Sequence, residues 1–232
     1  MNRRSFVKFS GCMLAMGLFS RKRSIAAEET KSYASVPLLD AQGQPLRAKS
    51  LQPKLTYLFF YPYVATPVFL IDLGLTAPPV RFTEDGKERT WPGGVGPTKS
   101  IVAFSAICHH QLTRPSPSES LINYSSTAGE ISQAPGRITC CTHNSIYDPA
   151  AGAQVLDGPA ETALTTILLE HDPAQDTLRA VGTAGVEVFR EYFREYRVEL
   201  LREFGPGRAR EEQTGPVKVM RLSDYSSAPL AC

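Results

Sequence analysis

Two short pairs of metal-binding side chains constrain this chain more than any other feature of its sequence. Cys108 and His110 are separated by one residue, and His143 lies just after the adjacent Cys140 and Cys141. Thiolate and imidazole groups bind zinc and the irons of iron–sulfur clusters. Because two pairs far apart in sequence have to meet at one centre, the sequence predicts a fold in which two loops converge on a metal site.

The residues that follow the second pair extend this pattern. They are Asp148-Pro149, Gly152, Gly158-Pro159-Ala160 and Leu164. Together with the two Cys/His pairs, they resemble the second cluster-binding box and the proline loop of Rieske [2Fe-2S] proteins. In that family two histidines replace two cysteines on one iron of the cluster. The resemblance therefore implies one [2Fe-2S] cluster per chain.

The resemblance also implies which side chains are the metal ligands: Cys108, His110, Cys140 and His143. Spacing alone allows either Cys140 or Cys141 to pair with His143, and the family pattern favours Cys140. Gly158 and Pro159 would lie in the loop that covers the cluster.

The ligand set has an electrostatic consequence. Two ferric ions, two sulfides and two thiolates sum to zero charge, whereas four thiolates would leave two negative charges. A neutral cluster accepts an electron more easily, so the reduction potential rises from about −400 mV to about −150 to +300 mV. By resemblance, Ser145 would donate a hydrogen bond to a bridging sulfide and Tyr147 to a ligand sulfur, which predicts a potential in the upper half of that range.

Zinc is the alternative metal. Two thiolates and two imidazoles also hold a structural tetrahedral zinc, which would make the protein a zinc-stabilised binding module. Zinc gives no reason for Ser145, Tyr147 and the Gly158-Pro159-Ala160 loop to follow the second pair. An iron–sulfur cluster is therefore favoured.

Segments outside the cluster boxes resemble the small Rieske subunit of arsenite oxidase. They are Phe60-Tyr61-Pro62, Gly93-Gly94-Val95-Gly96-Pro97 and Ile101-Val102-Ala103-Phe104-Ser105. The likeness covers roughly residues 57–185. It implies a mostly β fold, export by the twin-arginine pathway and electron transfer from a larger redox subunit containing molybdenum. A c-type cytochrome or a cupredoxin is a further candidate partner.

Two features depart from the family pattern. Many exported Rieske proteins join their cluster loops by a disulfide bond at the positions that Thr113 and Thr142 occupy here. The implied ligands Cys108 and Cys140 are also 32 positions apart, more than is usual in the family. Residues 113–138 are therefore interpreted as a surface insertion beside the cluster, either a filler or, slightly favoured, a partner-docking loop.

The remaining sequence predicts an all-β fold. Runs of aromatic and β-branched residues predict strands at 57–61, 68–72 and 101–107, and a closing strand at 177–181. The expected architecture is a Rieske-type β-sandwich with a small inserted cluster-binding subdomain. Apolar residues take helical spacing over 187–204, which predicts a C-terminal amphipathic helix, with packing on its own domain favoured over docking to a partner.

The N-terminus resembles a twin-arginine signal. Arg3-Arg4 precedes an apolar run over 9–19, which is too short to span a bilayer because about 20 apolar residues are needed. A cleavage site near Ala27 predicts three parts: a signal peptide at 1–27, a Rieske domain at 28–185 with its cluster-binding part at about 106–162, and a helix and tail at 186–232. The mature chain is expected to be periplasmic without a stable membrane span, and membrane-anchored only if the signal is not cleaved.

The histidine count limits the chemistry. The chain has four histidines, and a Rieske oxygenase needs an additional iron bound by two histidines and a carboxylate. Beside the implied ligands only His109 and His171 remain. His109 is interpreted as an exposed or hydrogen-bonded neighbour of the ligands and His171 as a surface turn residue. Oxygenase chemistry is therefore excluded, and no substrate-converting site is expected in this chain.

These observations predict periplasmic one-electron transfer by the small subunit of an oxidoreductase complex. The alternative is the Rieske subunit of a quinol-oxidising cytochrome bc-type complex, which the short apolar run disfavours.

The formal charge of +2 gives no electrostatic case for nucleic-acid binding. Cys12 would leave with the signal peptide, so Cys141 and Cys232 could pair in an oxidising compartment.

Overall fold

The computed structural model describes residues 30–230, so the signal peptide, Cys12 and Cys232 lie outside the described residues. The strands β1 to β14 are Thr30–Leu39, Thr56–Phe60, Pro67–Asp72, Val80–Glu84, Lys87–Trp91, Ile101–Ser105, Ile122–Ser125, Arg137–Cys140, Ser145–Asp148, Gln154–Asp157, Thr166–Asp172, Thr177–Ala184, Val217–Lys218 and Met220–Arg221. The α-helices α1 to α3 are Phe189–Glu195, Arg197–Phe204 and Leu222–Tyr225. Short 3-10 helices cover Ala48–Ser50, Pro149–Ala151 and Arg208–Arg210.

Eight strands form one large sheet in the order β13-β1-β12-β11-β6-β3-β2-β14. Its two outermost strands, β13 and β14, are separated in sequence by Val219 alone. Val217 pairs with Leu38 in β1, and Met220 pairs with Leu58 in β2. The sheet therefore nearly closes on itself, and the predicted all-β architecture is confirmed, with the sandwich taking the form of a nearly closed sheet.

The central strands β2, β3 and β6 are buried on both faces, as their continuous apolar runs predict. Side chains alternate between two cores because successive residues of a strand point to opposite faces. Phe59, Val68, Leu70, Ile101 and Ala103 belong to one core. Leu58, Phe69, Ile71, Val102 and Phe104 belong to the other, which also contains both candidate ligand cysteines. The large sheet thus supports the candidate metal site directly.

A second sheet of four strands, in the order β10-β9-β8-β7, is inserted between β6 and β11. It is the predicted cluster-binding subdomain. Strand β7 comes from the interpreted surface insertion at 113–138, and its residues Ile122 and Asn123 are buried. The insertion is therefore partly a structural strand and not a surface loop throughout.

The end of the chain packs along this insertion as a C-terminal strap, residues 226–230. The backbone N–H of Ser227 donates to the Pro117 carbonyl at 3.0 Å, and Ser120 N–H donates to the Ala228 carbonyl at 3.0 Å. Leu230 N–H in turn donates to the Ser120 carbonyl at 3.0 Å. The face of the insertion considered for partner docking is thus occupied in part by the chain's own strap.

The predicted C-terminal helix is divided into α1 and α2 at Tyr196, where φ is −92° and ψ is 22°. The Arg114 guanidinium lies 5.3 Å from the ring centroid of Tyr196 at this junction and 2.9 Å from the carboxylate of Glu203 in α2. Both helices pack on the domain itself, in a core that includes Phe193, Leu200 and Ile107.

Among the described residues, no helix combines the length and the apolar character needed to cross a bilayer.

Candidate metal centre

Three loops build the site. The first loop, residues 106–113, follows β6; the second, 140–145, joins β8 to β9; the covering loop, 158–165, joins β10 to β11. The first loop is a tight turn in which Leu112 N–H donates to the Cys108 carbonyl at 3.0 Å. The second repeats this geometry, with Asn144 N–H donating to the Cys140 carbonyl at 2.8 Å. Two similar turns therefore present their Cys/His pairs to a common centre.

The four predicted ligands converge where these turns meet. Cys108 and Cys140 are buried free thiols in contact with each other. The rings of His110 and His143 meet edge-on, with centroids 4.7 Å apart and planes at 86°. The Nδ1 atom of each ring is buried without a hydrogen-bond partner in the described part of the chain. An unpartnered buried nitrogen is costly, so both rings are suited to bind metal through Nδ1.

Two thiolates and two imidazole nitrogens are the donor set of a Rieske cluster, and these residues fit it. The hydrogen bond between the two thiols lowers the pKa of Cys108 to about 5, and it raises the pKa of Cys140.

Tyr147 is fully buried beside the first loop. Its phenolic oxygen lies 3.3 Å from the Cys108 Sγ and accepts the His109 backbone N–H at 3.3 Å. Because the oxygen is already an acceptor for that N–H, its own hydrogen is available to Cys108. Burial, followed by the nearby Cys108 charge, raises the pKa of Tyr147. The phenol therefore stays protonated and able to donate to the sulfur.

Ser145 is also fully buried, at the start of β9. Its Oγ accepts the Ala160 backbone N–H at 3.2 Å, which joins the second loop to the covering loop. The serine hydroxyl also hydrogen-bonds to Cys108, which helps to lower the pKa of that thiol. Ser145 can thus donate its hydrogen toward the sulfur-lined centre, as the resemblance implies.

Gly158 and the exposed Pro159 begin the covering loop. Gly158 has φ of +89°, and a Cβ built there would lie 2.5 Å from both the Asn144 carbonyl oxygen and the Ser145 Cα. Backbone therefore packs directly on backbone, and only glycine fits.

His109 is not directed at the metal centre. Its Nδ1 lies 2.8 Å from the Thr162 Oγ1, and its Nε2 accepts the Thr165 backbone N–H at 3.3 Å. Burial lowers the pKa of His109 to about 3, so the ring is neutral. The hydrogen-bonded interpretation of His109 is thus the one observed. No motif near His109 indicated that Thr162 and Thr165 of the covering loop would be its partners.

His171 lies in β11 and not in a turn as predicted from the adjacent Asp172-Pro173. Its Nε2 is 3.0 Å from the Asp176 carboxylate, across the connection to β12. The pairing of β11 with β12 extends through His171 to Asp172, which places the turn two residues later than expected. His171 thus has a local partner on the large sheet.

The two cluster loops are joined without the disulfide bond that is common in the family. Thr113 Oγ1 donates to Thr142 Oγ1 at 3.2 Å, at the two positions where that bond would lie. Cys141 is itself disulfide-bonded, and its Sγ lies 3.8 Å from the Leu230 carbonyl oxygen in the C-terminal strap. Cys232, the partner considered from the sequence, lies outside the described residues. A disulfide-bonded Cys141 favours Cys140 as the ligand.

The fold and the donor set are those of an iron–sulfur protein, and a known domain family matches the part of the chain that contains the site. Residues 82–168 match the family model of the Rieske [2Fe-2S] domain, a span that contains all three loops. The chain therefore carries a Rieske [2Fe-2S] domain, which binds a [2Fe-2S] cluster and transfers electrons. It is also similar to the soluble domain of the Rieske protein II (soxF) from Sulfolobus acidocaldarius, with 28% identity over 65% of this chain and 78% of that chain and a TM-score of 0.47. The zinc-module alternative is rejected.

Removal of either hydroxyl near Cys108 should lower the reduction potential. Ser145→Ala and Tyr147→Phe each delete a donor that favours the added electron. A hydrogen bond to a charged group contributes about 1.5–3 kcal/mol. A tenfold change corresponds to about 1.4 kcal/mol and, for one electron, to about 59 mV, so shifts of about 65–130 mV are expected. Voltammetry measures them. Tyr124→Phe, a phenol outside the three loops, is the control, and unchanged potentials in both test variants would reject these roles.

Proposed function

We propose that this chain is a periplasmic one-electron carrier and the small subunit of an oxidoreductase complex resembling arsenite oxidase. The observation that carries the proposal is that, in the described part of the chain, the two histidines other than the candidate ligands are hydrogen-bonded elsewhere. His109 is bonded to Thr162 and Thr165, and His171 to Asp176. Neither is available for the second iron of an oxygenase. This supports a role in which the cluster relays electrons and the substrate chemistry lies in another chain.

The site is arranged for such an exchange. Cys108 and Cys140 are buried, whereas the rings of His110 and His143 are only half-buried with their Nδ1 atoms directed inward. When bound, the cluster accepts and releases single electrons. Ser145 and Tyr147 donate hydrogen bonds that favour the reduced form. The two histidine rings would face the redox partner, and their outer nitrogens could couple electron transfer to protons.

The likeness to the arsenite oxidase subunit rests on sequence segments that have structural roles in the fold. Tyr61 is fully buried and donates its hydroxyl to the Ala34 carbonyl at 3.2 Å. At Gly93 a Cβ would lie 2.7 Å from the Ala77 carbonyl oxygen, so the glycine-rich loop packs closely on the preceding segment. These segments support the proposed subfamily because they carry residues that pack in the fold of the domain. They make no contact that specifies the substrate of the complex.

The proposed partners are a larger subunit containing molybdenum and, as the electron acceptor, a c-type cytochrome or a cupredoxin. Periplasmic location is proposed from Arg3-Arg4 and the short apolar run, which lie outside the described residues. The twin-arginine route transports folded proteins, and this agrees with a cluster that must be assembled before export. A quinol-oxidising cytochrome bc-type complex is the competing assignment.

Capture of the tagged chain from fractionated cells of the native host tests these assignments together. We expect the periplasmic fraction to contain a chain that begins near Glu28 and co-purifies with a larger molybdenum-containing subunit. Edman sequencing, mass spectrometry and metal analysis are the measurements. As a control, replacement of Arg3 and Arg4 by lysine should leave a cluster-loaded precursor in the cytoplasm. A membrane-bound chain that begins near Met1 and co-purifies with cytochromes would favour the bc-type complex instead.

A further inference from the structure

The covering loop is held from three directions. Ala160 N–H donates to the Ser145 Oγ in the second loop at 3.2 Å. Thr162 Oγ1 lies 2.8 Å from the His109 Nδ1 in the first loop. The third contact comes from outside the cluster-binding subdomain, from the hairpin of β4 and β5. The sequence alone indicates no role for this hairpin in cluster binding.

Glu84, at the end of β4, makes this third contact. Its Oε1 accepts the Ala163 backbone N–H at 2.6 Å, and its Oε2 lies 3.5 Å from the Arg89 Nε in β5. The side chains of Glu84 and Arg89 are 9% and 6% exposed, whereas the neighbouring hairpin residues Asp85 and Glu88 are exposed. The hairpin therefore directs one buried carboxylate at one backbone group of the covering loop.

Burial of this carboxylate is unfavourable in itself. Desolvation raises the pKa of Glu84, opposed by the Ala163 hydrogen bond and the Arg89 charge. Buried ion pairs often contribute little net stability because desolvation offsets their attraction. The hydrogen bond has a directional effect that an apolar contact would lack, since it fixes the position of Ala163. Adjacent Leu164 is fixed in turn, with its N–H donating to the Ala153 carbonyl at 3.2 Å.

We propose that Glu84 is a positioning residue for the cluster: it holds the covering loop against the two ligand loops through Ala163. The β4–β5 hairpin is then a support of the metal site as well as part of the scaffold. The inference rests on the cluster-binding role of the domain and is independent of which partner complex the chain belongs to. It predicts that loss of the Glu84 acceptor shortens the lifetime of the cluster.

The test compares two double variants of the full chain that share Arg89→Met, so that neither contains an unpaired buried arginine. Glu84→Gln in this background keeps an oxygen that can accept from Ala163 N–H, whereas Glu84→Ala removes it. Both proteins are purified with cluster, and loss of visible absorbance is followed in mildly acidic buffer with an iron chelator. We expect the Ala variant to lose its cluster about tenfold faster than the Gln variant, which corresponds to about 1.4 kcal/mol.

Two further readouts separate positioning from general stability. The electron paramagnetic resonance g-values of the reduced cluster should differ between the Ala variant and the wild type, and the Gln variant should restore them. Glu88→Ala, on the exposed side of the same hairpin, should leave lifetime and g-values unchanged. Equal cluster lifetimes and equal g-values in the Gln and Ala variants would overturn the proposal, as would a lower melting temperature in the Ala variant with both cluster readouts unchanged.

Discussion

Cys140→Ser is expected to abolish cluster binding, whereas Cys141→Ser should retain the cluster. The two cysteines are adjacent in sequence but face different environments. Cys140 is fully buried and contacts Cys108, while Cys141 is disulfide-bonded and half-buried. A serine hydroxyl is a poor substitute for a thiolate on iron, so loss of Cys140 removes half of the sulfur ligands. Iron should fall from about two per chain to near zero.

Iron and acid-labile sulfide analysis measures this effect, and the reduced wild-type protein should give the electron paramagnetic resonance signal of a His-ligated [2Fe-2S] cluster. Cys141→Ser is the matched control, because it makes the same chemical change one residue away. It removes the disulfide bond and leaves all four proposed ligands in place. A cluster that survives in Cys140→Ser and is lost in Cys141→Ser would show that the ligand assignment is wrong.

Gly158→Ala should be the most damaging single-methyl change near the site. A left-handed φ costs a residue with a Cβ about 1–2 kcal/mol, and forced overlap in a packed region adds about 1–3 kcal/mol. Here the overlap is with the second loop backbone, at 2.5 Å from the Asn144 oxygen. We therefore expect a loss of about 2–5 kcal/mol in unfolding free energy, together with faster cluster loss, because the covering loop must move away.

Gly185→Ala is the control for Gly158→Ala. Gly185 has nearly the same φ, +86°, but a Cβ there has no neighbour within 4 Å. It should show only the backbone cost of about 1–2 kcal/mol. Thermal unfolding followed by circular dichroism, and the decay of cluster absorbance, measure the two effects. Equal losses for both variants would mean that close packing of the covering loop does not matter.

The sequence was informative where chemistry is local. The ligand candidates lie within short motifs whose residue types are rare and specific, and the structure brings these motifs together. The strands predicted near 57–61, 68–72 and 101–107 are confirmed as β2, β3 and β6 because continuous apolar runs are typical of strands buried on both faces. The closing strand predicted at 177–181 is longer, Thr177–Ala184.

Features that depend on distant partners could not be read in this way. Glu84 and Ala163 are far apart in sequence, and nothing near Glu84 distinguishes it from the exposed acidic residues of the same hairpin. The contact between Tyr196, at the helix break, and Arg114 likewise joins residues far apart in sequence. The pairing of the C-terminal strap with the insertion is carried by backbone groups, which every sequence possesses.

The near closure of the large sheet by residues 217–221 has a consequence for the order of events during synthesis. Until those residues emerge from the ribosome, the outer edges of β1 and β2 have no strand to pair with in this sheet. Open strand edges favour pairing with other chains. The contacts that β13 and β14 make with β1 and β2 join residues far apart in sequence, and such contacts form slowly during folding. The large sheet can therefore be completed only once residues 217–221 have been synthesised, and a chain interrupted before them would expose two strand edges.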